Sequence, residues 1–192
     1  MKCHRGQLII ILACLVVYSC TIFEKDFDNP VDFEANEEKG IGAPTLVFYP
    51  KTQTKTTSDS VIVGSFIVFK EDSMEAFSGV HLQIIFPDSY LELDTVVPGL
   101  FITDTSNSMP LFTYTFDSIN TIDIYAYFLD TYFLDTLKTN LLGTGHLADL
   151  VFNPTSTGLD SVSYHLNACE MIDHEDNVII LKGDRGAEVI IQ

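Results

Sequence analysis

The sequence has no tryptophan, few basic residues and few cysteines, and each shortage excludes a class of protein. Only 10 lysines and arginines stand against 27 aspartates and glutamates among 192 residues, which gives a formal net charge of −17. Such a chain repels phosphate backbones and anionic lipid surfaces, so nucleic acids and anionic membranes are poor partners. The 4 cysteines are too few for a disulfide-dense scaffold. Hydrophobic residues nevertheless make up 46% of the chain, which is enough to bury the core of one domain.

The chain also lacks an uncharged apolar run long enough to span a bilayer. The longest apolar run near the start covers residues 8–18, whereas a membrane-spanning helix needs about 20 residues. This short run follows a basic start that contains Lys2 and Arg5. A short apolar run behind basic residues is typical of a signal peptide, so we expect residues 1–19 to be removed from the mature protein.

The end of this segment resembles the lipobox of bacterial lipoproteins. Residues 17–20 read Val-Tyr-Ser-Cys, with an aliphatic residue three positions before the cysteine and a small residue just before it. The resemblance implies that Cys20 becomes the first mature residue and carries lipid, so that the protein is lipid-anchored to the cell envelope. In a host with two membranes it implies the outer one. The alternative is an ordinary secretory signal in which Cys20 has no role.

Residues 20–43 show no persistent period of 2 or 3.6. Phe23, Phe27 and Phe33 have a spacing that suggests a helix, but Pro30 between them argues against it. The sequence therefore predicts a flexible linker over 20–43 that carries a single domain over 44–192.

From residue 45 onwards the sequence is typical of strands. Short runs rich in β-branched and aromatic residues alternate in polarity and are separated by turn residues. Nine strand regions are predicted, the last of them in two parts: 45–49, 60–69, 79–86, 91–97, 111–116, 121–129, 146–152, 160–166, and 178–181 with 187–191. This pattern predicts an all-β fold, a nine-stranded antiparallel β-sandwich with jelly-roll topology.

One short tandem repeat lies at the end of the sixth region. Residues 127–131 read Tyr-Phe-Leu-Asp-Thr, and residues 132–136 repeat them directly. An odd shift reverses the faces of a strand, so the two copies cannot continue one strand with the same residues inward. We expect the first copy to close a strand and the second to lie in a loop or bulge, and a duplication without function is the simpler interpretation.

The order of these strands resembles that of cohesin modules. The segment 79–91 has an alternating apolar strand followed by the turn Phe-Pro-Asp-Ser-Tyr-Leu, residues 143–152 read Gly-Thr-Gly-His-Leu-Ala-Asp-Leu-Val-Phe, and 159–166 and 186–191 are similar to the last two cohesin strands. The resemblance covers residues 44–192. It implies a non-catalytic module that binds a dockerin-type protein and so gathers polysaccharide-degrading enzymes or adhesins at a surface.

In cohesins one sheet face, built from the third, fifth, sixth and eighth strands, receives the partner. Applied to this sequence, the alternation places outward on that face the following candidate partner-binding residues: His81, Gln83, Ile85, Asp123, Tyr125, Tyr127, Ser163 and His165. Tyrosine rings among polar neighbours suit a protein interface. The alternative is an ordinary solvated sheet surface.

The sequence offers little catalytic or metal chemistry. The histidines lack zinc-ligand spacing, and neither a nucleophile elbow nor a phosphate-binding glycine loop is present. Asp173, Glu175 and Asp176 form a weak calcium candidate because they place hard oxygen ligands in one turn, although a solvated acidic turn is the commoner case. After removal of the signal peptide and lipidation of Cys20, Cys169 is a lone thiol, and we interpret it as packing. No tightly bound cofactor is expected.

Three functions remain open. The first is a surface-tethered module that recruits a dockerin-bearing protein. The second is a carbohydrate-binding module on the same sandwich that binds polysaccharide, in which Tyr125, Tyr127 and Tyr132 would replace the absent tryptophans by stacking on sugars. The third is a structural spacer in the envelope.

Overall fold

The computed structural model describes residues 29–70, 77–87, 89–103, 110–117, 120–128, 143–173 and 175–192. These ranges contain thirteen strands: β1 Thr45–Tyr49, β2 Thr52–Lys55, β3 Val61–Val68, β4 Gly79–Ile85, β5 Leu91–Pro98, β6 Pro110–Phe116, β7 Thr121–Phe128, β8 Gly145–Pro154, β9 Gly158–Tyr164, β10 Glu170–Ile172, β11 Val178–Ile179, β12 Gly183–Arg185 and β13 Ala187–Ile191. They also contain two short α-helices and a 3₁₀ helix: α1 Phe33–Glu37, α2 Leu100–Thr103 and Leu166–Ala168.

The strands form two sheets that pack face to face as a sandwich. The smaller sheet has five strands in the order β12-β1-β3-β8-β5. In the larger, eight-stranded sheet, β7 pairs along the whole of β4, and β6 pairs with β7. On the other side of β4, β10 pairs with its first half and β9 with its last two residues. β11 extends from β10, and β13 and β2 extend from β9.

The core lies between the two sheets, and the period-two alternation of the strands decides which side chains enter it. On β4, Val80, Leu82 and Ile84 are at most 2% exposed, whereas His81 and Gln83 between them remain partly exposed. The same alternation along the other long strands fills the space between the sheets with aliphatic and phenylalanine side chains.

Tyr164 of β9 connects the two sheets through the core. Its hydroxyl donates to the carbonyl of Val47 at 3.1 Å and lies 2.8 Å from the hydroxyl of Ser65, and both partners belong to the five-stranded sheet. The Tyr164 ring stacks on Phe48, with centroids 4.1 Å apart and planes 4° from parallel. Burial raises the pKa of Tyr164 well above its usual range, so the hydroxyl stays protonated and keeps its donor.

The predicted all-β sandwich is confirmed, with more strands than expected and with two parallel pairings. β1 pairs with β12, and β2 pairs with β13, in parallel orientation. The sequence reading missed β2, β10 and β12. These strands have three or four residues each, which is too short for a period to show, and their pairing partners hold them in place.

Residues 29–43, which we name the N-terminal strap, differ from the expected linker. They contain α1, whose N-cap Asp32 accepts a hydrogen bond from the Ala35 backbone at 3.2 Å. Asn36 is completely buried: its amide donates to the carbonyl of Pro30 at 2.7 Å and accepts from Arg185 Nη1 at 3.0 Å. A helix of one turn cannot show a 3.6 period, and its stability comes from packing on the sandwich, so periodicity could not predict it.

The turn between β6 and β7 agrees with the predicted hairpin. Asp117 accepts the Thr121 backbone N–H through its carboxylate at 3.0 Å, and the Asp117 N–H donates to the Thr121 carbonyl at 3.0 Å. Asn120 has a φ of 62°, as a tight turn requires. Tyr127 and residue 128 end β7, so the first copy of the tandem repeat begins by closing a strand; residues 129–136 lie outside the described ranges.

Candidate docking face

The eight candidate partner-binding residues lie together on the outer surface of the eight-stranded sheet. We name this surface the docking face; it comprises the following residues: His81, Gln83, Ile85, Asp123, Tyr125, Tyr127, Ser163 and His165. The pairing register explains the grouping. His81 is opposite Tyr125, and Gln83 is opposite Asp123. Ile85, which is 40% exposed, is opposite Ser163.

A chain of hydrogen bonds joins four of these side chains. The Asp123 carboxylate accepts from His81 Nε2 at 2.8 Å and from Gln83 Nε2 at 3.1 Å through the same oxygen. At the other end of the amide, Gln83 Oε1 accepts from His165 Nδ1 at 2.6 Å. The backbone N–H of His165 also donates to the Gln83 carbonyl at 2.8 Å, which fixes the end of β9 beside β4. The hydrogen bonds therefore hold these four side chains in fixed orientations.

The two tyrosines pack across β4 in different ways. The Tyr125 ring stacks on the His81 ring, with centroids 4.4 Å apart and planes 2° from parallel. Tyr127 instead leans over Gly79, where an added Cβ would lie 2.5 Å from the ring. Glycine at position 79 is therefore required for this close approach, because any other side chain would displace Tyr127.

Carboxylates are the only fully charged groups along the described outer rows of β4, β6, β7, β9 and β10. Asp123 lies in the centre with 22% of its side chain exposed. Glu170 of β10 is exposed and lies opposite His81. Neither lysine nor arginine occupies an outer position on these described strands. The docking face thus presents negative charge and hydrogen-bonding groups around aromatic rings.

Sequence reasoning missed several members of this surface. Glu170 was missed because the three-residue β10 shows no period. Leu111, Thr113 and Thr115 of β6 are exposed and lie opposite the outward residues of β7, so they extend the docking face by one strand. The alternation in 111–116, together with the hairpin turn that follows, could have predicted that these β6 residues lie beside the outward residues of β7.

Cys169 lies behind the docking face rather than on it. Its Sγ accepts a hydrogen bond from the Gln83 backbone N–H at 3.3 Å, and the side chain packs against the core. Burial raises the pKa of the Cys169 thiol to about 11. The thiol is therefore neutral near pH 7, in agreement with its interpretation as packing.

The acidic turn does not assemble the predicted calcium site. The Asp173 carboxylate caps its own turn, accepting the backbone N–H groups of Glu175 at 2.7 Å and Asn177 at 2.9 Å. Its second oxygen accepts from the Asn177 side-chain amide at 2.9 Å. Glu175 and Asp176 are exposed, and no group of three metal-ligating side chains occurs among the described residues. The residues of the turn hold its backbone, so their proximity in the sequence is explained without a metal.

Some sequence predictions fall outside the described residues. Cys20 and the signal segment lie before residue 29, so the lipidation prediction stays a prediction, and Tyr132 of the carbohydrate-binding alternative also lies outside the described ranges. Within the part of the chain that the structure covers, neither α-helix has the length and apolar character needed to cross a bilayer.

Comparison with known proteins supports the fold and leaves the function open. No protein-family model matches the sequence, and the search of curated proteins found no match. Solved structures do match. The sixth cohesin of scaffoldin B from Acetivibrio cellulolyticus, solved in complex with a dockerin, has a TM-score of 0.58 at 18% identity, covering 77% of this chain and 98% of that one.

Two further cohesins are similar. The OlpC cohesin from a Clostridium thermocellum cohesin–dockerin complex gives a TM-score of 0.59 at 15% identity, covering 77% of this chain and 92% of that one. The cohesin module of a Clostridium perfringens family 33 glycoside hydrolase gives 0.57 at 9% identity, covering 77% and 96%. Identities this low show the fold alone. Residues 29–192 therefore contain a domain with the cohesin-like β-sandwich fold.

Proposed function

We propose that this domain is a non-catalytic module that captures a dockerin-type protein on its docking face. The observation that carries the proposal is the hydrogen-bonded chain from His81 through Asp123 and Gln83 to His165, at the centre of an outer sheet surface. Side chains that already hold their bound orientation lose little conformational freedom on binding, so less of the interaction energy is spent on ordering them.

The chemistry of the docking face suits a protein partner. Tyr125 and Tyr127 supply large rings that lose few rotamers, and their polar neighbours provide hydrogen bonds around them. One side of the Tyr125 ring is already covered by His81, which leaves less ring surface for stacking on a sugar. Because Asp123 and Glu170 are its fully charged groups, the docking face favours a partner surface with basic or neutral residues.

We also propose that the module is held at the cell envelope by lipid on Cys20, where it would gather polysaccharide-degrading enzymes or adhesins. Acyl chains anchor a protein by burying CH₂ groups, each worth roughly 0.8 kcal/mol. Cys20→Ala is expected to release the protein from the membrane fraction. Continued full membrane association of that variant would contradict the anchoring proposal and leave the docking proposal untouched.

The test of docking is capture from host extract by the immobilised chain 21–192, with and without a calcium chelator. Dockerins need calcium to fold, whereas no calcium-binding group was found among the described residues of this chain. We expect recovery of a protein that carries a dockerin-type calcium repeat, and loss of that protein when the chelator is present. Recovery only on insoluble polysaccharide, or capture that the chelator does not affect, would contradict the proposal.

A further inference from the structure

The N-terminal strap is fastened to the sandwich by buried polar contacts. The Asn36 side chain donates to two strap carbonyls, those of Pro30 at 2.7 Å and Asp32 at 2.9 Å, and accepts from Arg185 of β12 at 3.0 Å. Just after the strap, the Lys182 backbone N–H donates to the Pro44 carbonyl at 2.8 Å. Detachment of the strap would leave the buried polar groups of Asn36 and Arg185 without these partners, which is unfavourable and keeps the strap in place.

The strap covers the β12–β1 edge of the outer surface of the five-stranded sheet, where Ile41 lies against Gly183. Leu46 and Phe48 of β1 point into the core, so Thr45 and Val47, which alternate with them, point outward. Thr45, Val47 and Val68 are nevertheless 0% exposed, and Arg185, opposite Val47, is the residue that holds Asn36. The docking face lies on the outer surface of the other sheet. The described chain therefore begins on the side of the sandwich away from the docking face.

The strap also shortens the chain available between Cys20 and the domain. A linker over 20–43 would leave 44 − 20 = 24 residue steps before the first strand region, whereas a strap beginning at Asn29 leaves 29 − 20 = 9. At about 3.5 Å per residue these lengths correspond to maxima of about 84 Å and about 32 Å. The longer chain would let the domain turn either face towards the membrane, and the shorter chain restricts that rotation.

We propose that the strap is an orienting device: it fixes the point of attachment on the back of the sandwich, so that the docking face is directed away from the membrane. This inference rests on the proposed anchoring at Cys20. Asp32, Glu34, Glu37 and Glu38 are exposed on the strap, and they keep this surface from adhering to an anionic leaflet. A dockerin-type partner would then approach from the outside without meeting the bilayer.

The first experiment tests the strap without any membrane. Hydrogen exchange of the soluble chain 21–192 is expected to show protected amides in 36–41, where the Ile41 N–H donates to the Asn36 carbonyl at 3.0 Å. Asn36→Ala should accelerate exchange there at least about 10-fold, whereas Glu37→Ala, an exposed position on the same helix, should not. Unchanged exchange in 79–85 reports that the fold is intact. Equal exchange in 36–41 for wild type and Asn36→Ala would overturn the proposal.

The second experiment measures orientation directly. One fluorescent donor is attached at Glu37→Cys on the strap or at Ser163→Cys on the docking face, both in a Cys169→Ala background, and the acylated chain is placed on vesicles that contain acceptor lipids. The two sites lie on opposite sides of the sandwich, so the spacing of about 10 Å between the packed sheets separates them. We expect efficient transfer from position 37 and weaker transfer from position 163, with the two efficiencies converging in Asn36→Ala.

The outcomes separate this inference from the anchoring proposal. Equal transfer efficiencies from both positions in the wild-type strap would overturn the orienting device. If the chain is not acylated, an oligohistidine tag at position 20 on nickel-chelating lipids supplies the attachment. Unequal transfer on those lipids would then support the orienting device while the anchoring proposal fails.

Discussion

The two outer surfaces of the sandwich hold their side chains in different ways. At the β12–β1 edge of the five-stranded sheet, the strap covers apolar outer side chains, and Val47 and Val68 are 0% exposed, whereas Tyr49 beyond the strap is 50% exposed. On the eight-stranded sheet, the outer side chains of β4 and β7 hold one another, as His81 and Asp123 do while 21% and 22% of their side chains remain exposed.

The two surfaces therefore carry different residue types at their outward positions. A sheet surface that the chain itself covers can carry β-branched apolar residues at outward positions, because they become part of a second small core. On a solvated surface water can satisfy the polar groups, so hydrogen bonds between side chains there mainly fix their orientation. The hydrogen-bonded side chains from His81 to His165 are oriented in this way.

Removing the aromatic rings of the docking face should cause the strongest loss of binding. Replacing both Tyr125 and Tyr127 with alanine should lower the affinity for the captured dockerin-type partner at least about 100-fold. Tyrosines buried at the centre of an interface each contribute about 2 kcal/mol or more to binding. Titration calorimetry measures the affinity, and circular dichroism checks the fold.

The matched control for that variant is Tyr49→Ala. Tyr49 is 50% exposed on the outer surface of the five-stranded sheet, so its loss should leave the affinity unchanged. Equal weakening by Tyr49→Ala, or unfolding of the double variant, would show that the two surfaces are wrongly assigned.

Cys169 offers a chemical probe of the layer behind the docking face. Burial raises the pKa of its thiol to about 11, whereas an unfolded thiol titrates near about 8.5. At pH 8 the native thiol of chain 21–192 should therefore react with a disulfide reagent at least about 100-fold more slowly than in denaturant. The unfolded state ionises first, so stability should fall as the pH rises from about 9 to about 11. Modification of the native protein as fast as that of the denatured protein would mean that the reagent reaches Cys169 in the folded state.

Removing the hydroxyl that joins the sheets tests whether both surfaces depend on one core. Tyr164→Phe should lower the free energy of unfolding by about 1–2 kcal/mol, because the Val47 carbonyl and the Ser65 hydroxyl lose a buried partner. Tyr114→Phe, whose hydroxyl lies on an exposed side chain, should change stability by less than about 0.5 kcal/mol. Denaturant unfolding measures both variants, and partner affinity should stay at the wild-type value. A loss of affinity in Tyr164→Phe would mean that the docking face is not rigid by itself.

The smallest effect concerns the acidic turn beside β10. Asp173→Ala should cost about 1 kcal/mol, because the backbone N–H groups of Glu175 and Asn177 lose their shared acceptor. Millimolar calcium should leave the melting temperature of the wild-type chain unchanged. A clear rise with calcium, absent in Asp173→Ala, would restore the metal interpretation.

Much of the fold and of the docking face could be read from the sequence, because both depend on strand alternation. Val80, Leu82 and Ile84 alternate with His81 and Gln83, so their inward and outward assignment needed no tertiary information. The strap could not be read in this way. Asn36 is a polar residue in a short acidic segment, and its burial depends on Arg185, which lies 149 positions along the chain.

The same reasoning explains the missed neighbours of the docking face. Glu170 belongs to a three-residue strand that is held by pairing with β4 and not by its own pattern. The acidic turn shows the opposite case, in which the sequence predicted a site that the described side chains do not form. Three acids close in sequence suggested ligands, but the Asp173 oxygens accept hydrogen bonds from its own turn, and the three carboxylates form no metal-ligating group among the described residues.

Hydrogen exchange of the chain in complex with its captured dockerin-type partner would locate the binding surface directly. We expect additional protection in 79–85 and 121–127, the strands that carry the docking face, and no change in 45–49 and 61–68 on the other sheet. Protection confined to 45–49 and 61–68 would contradict the assignment, because it would place the partner on the surface that the strap already covers.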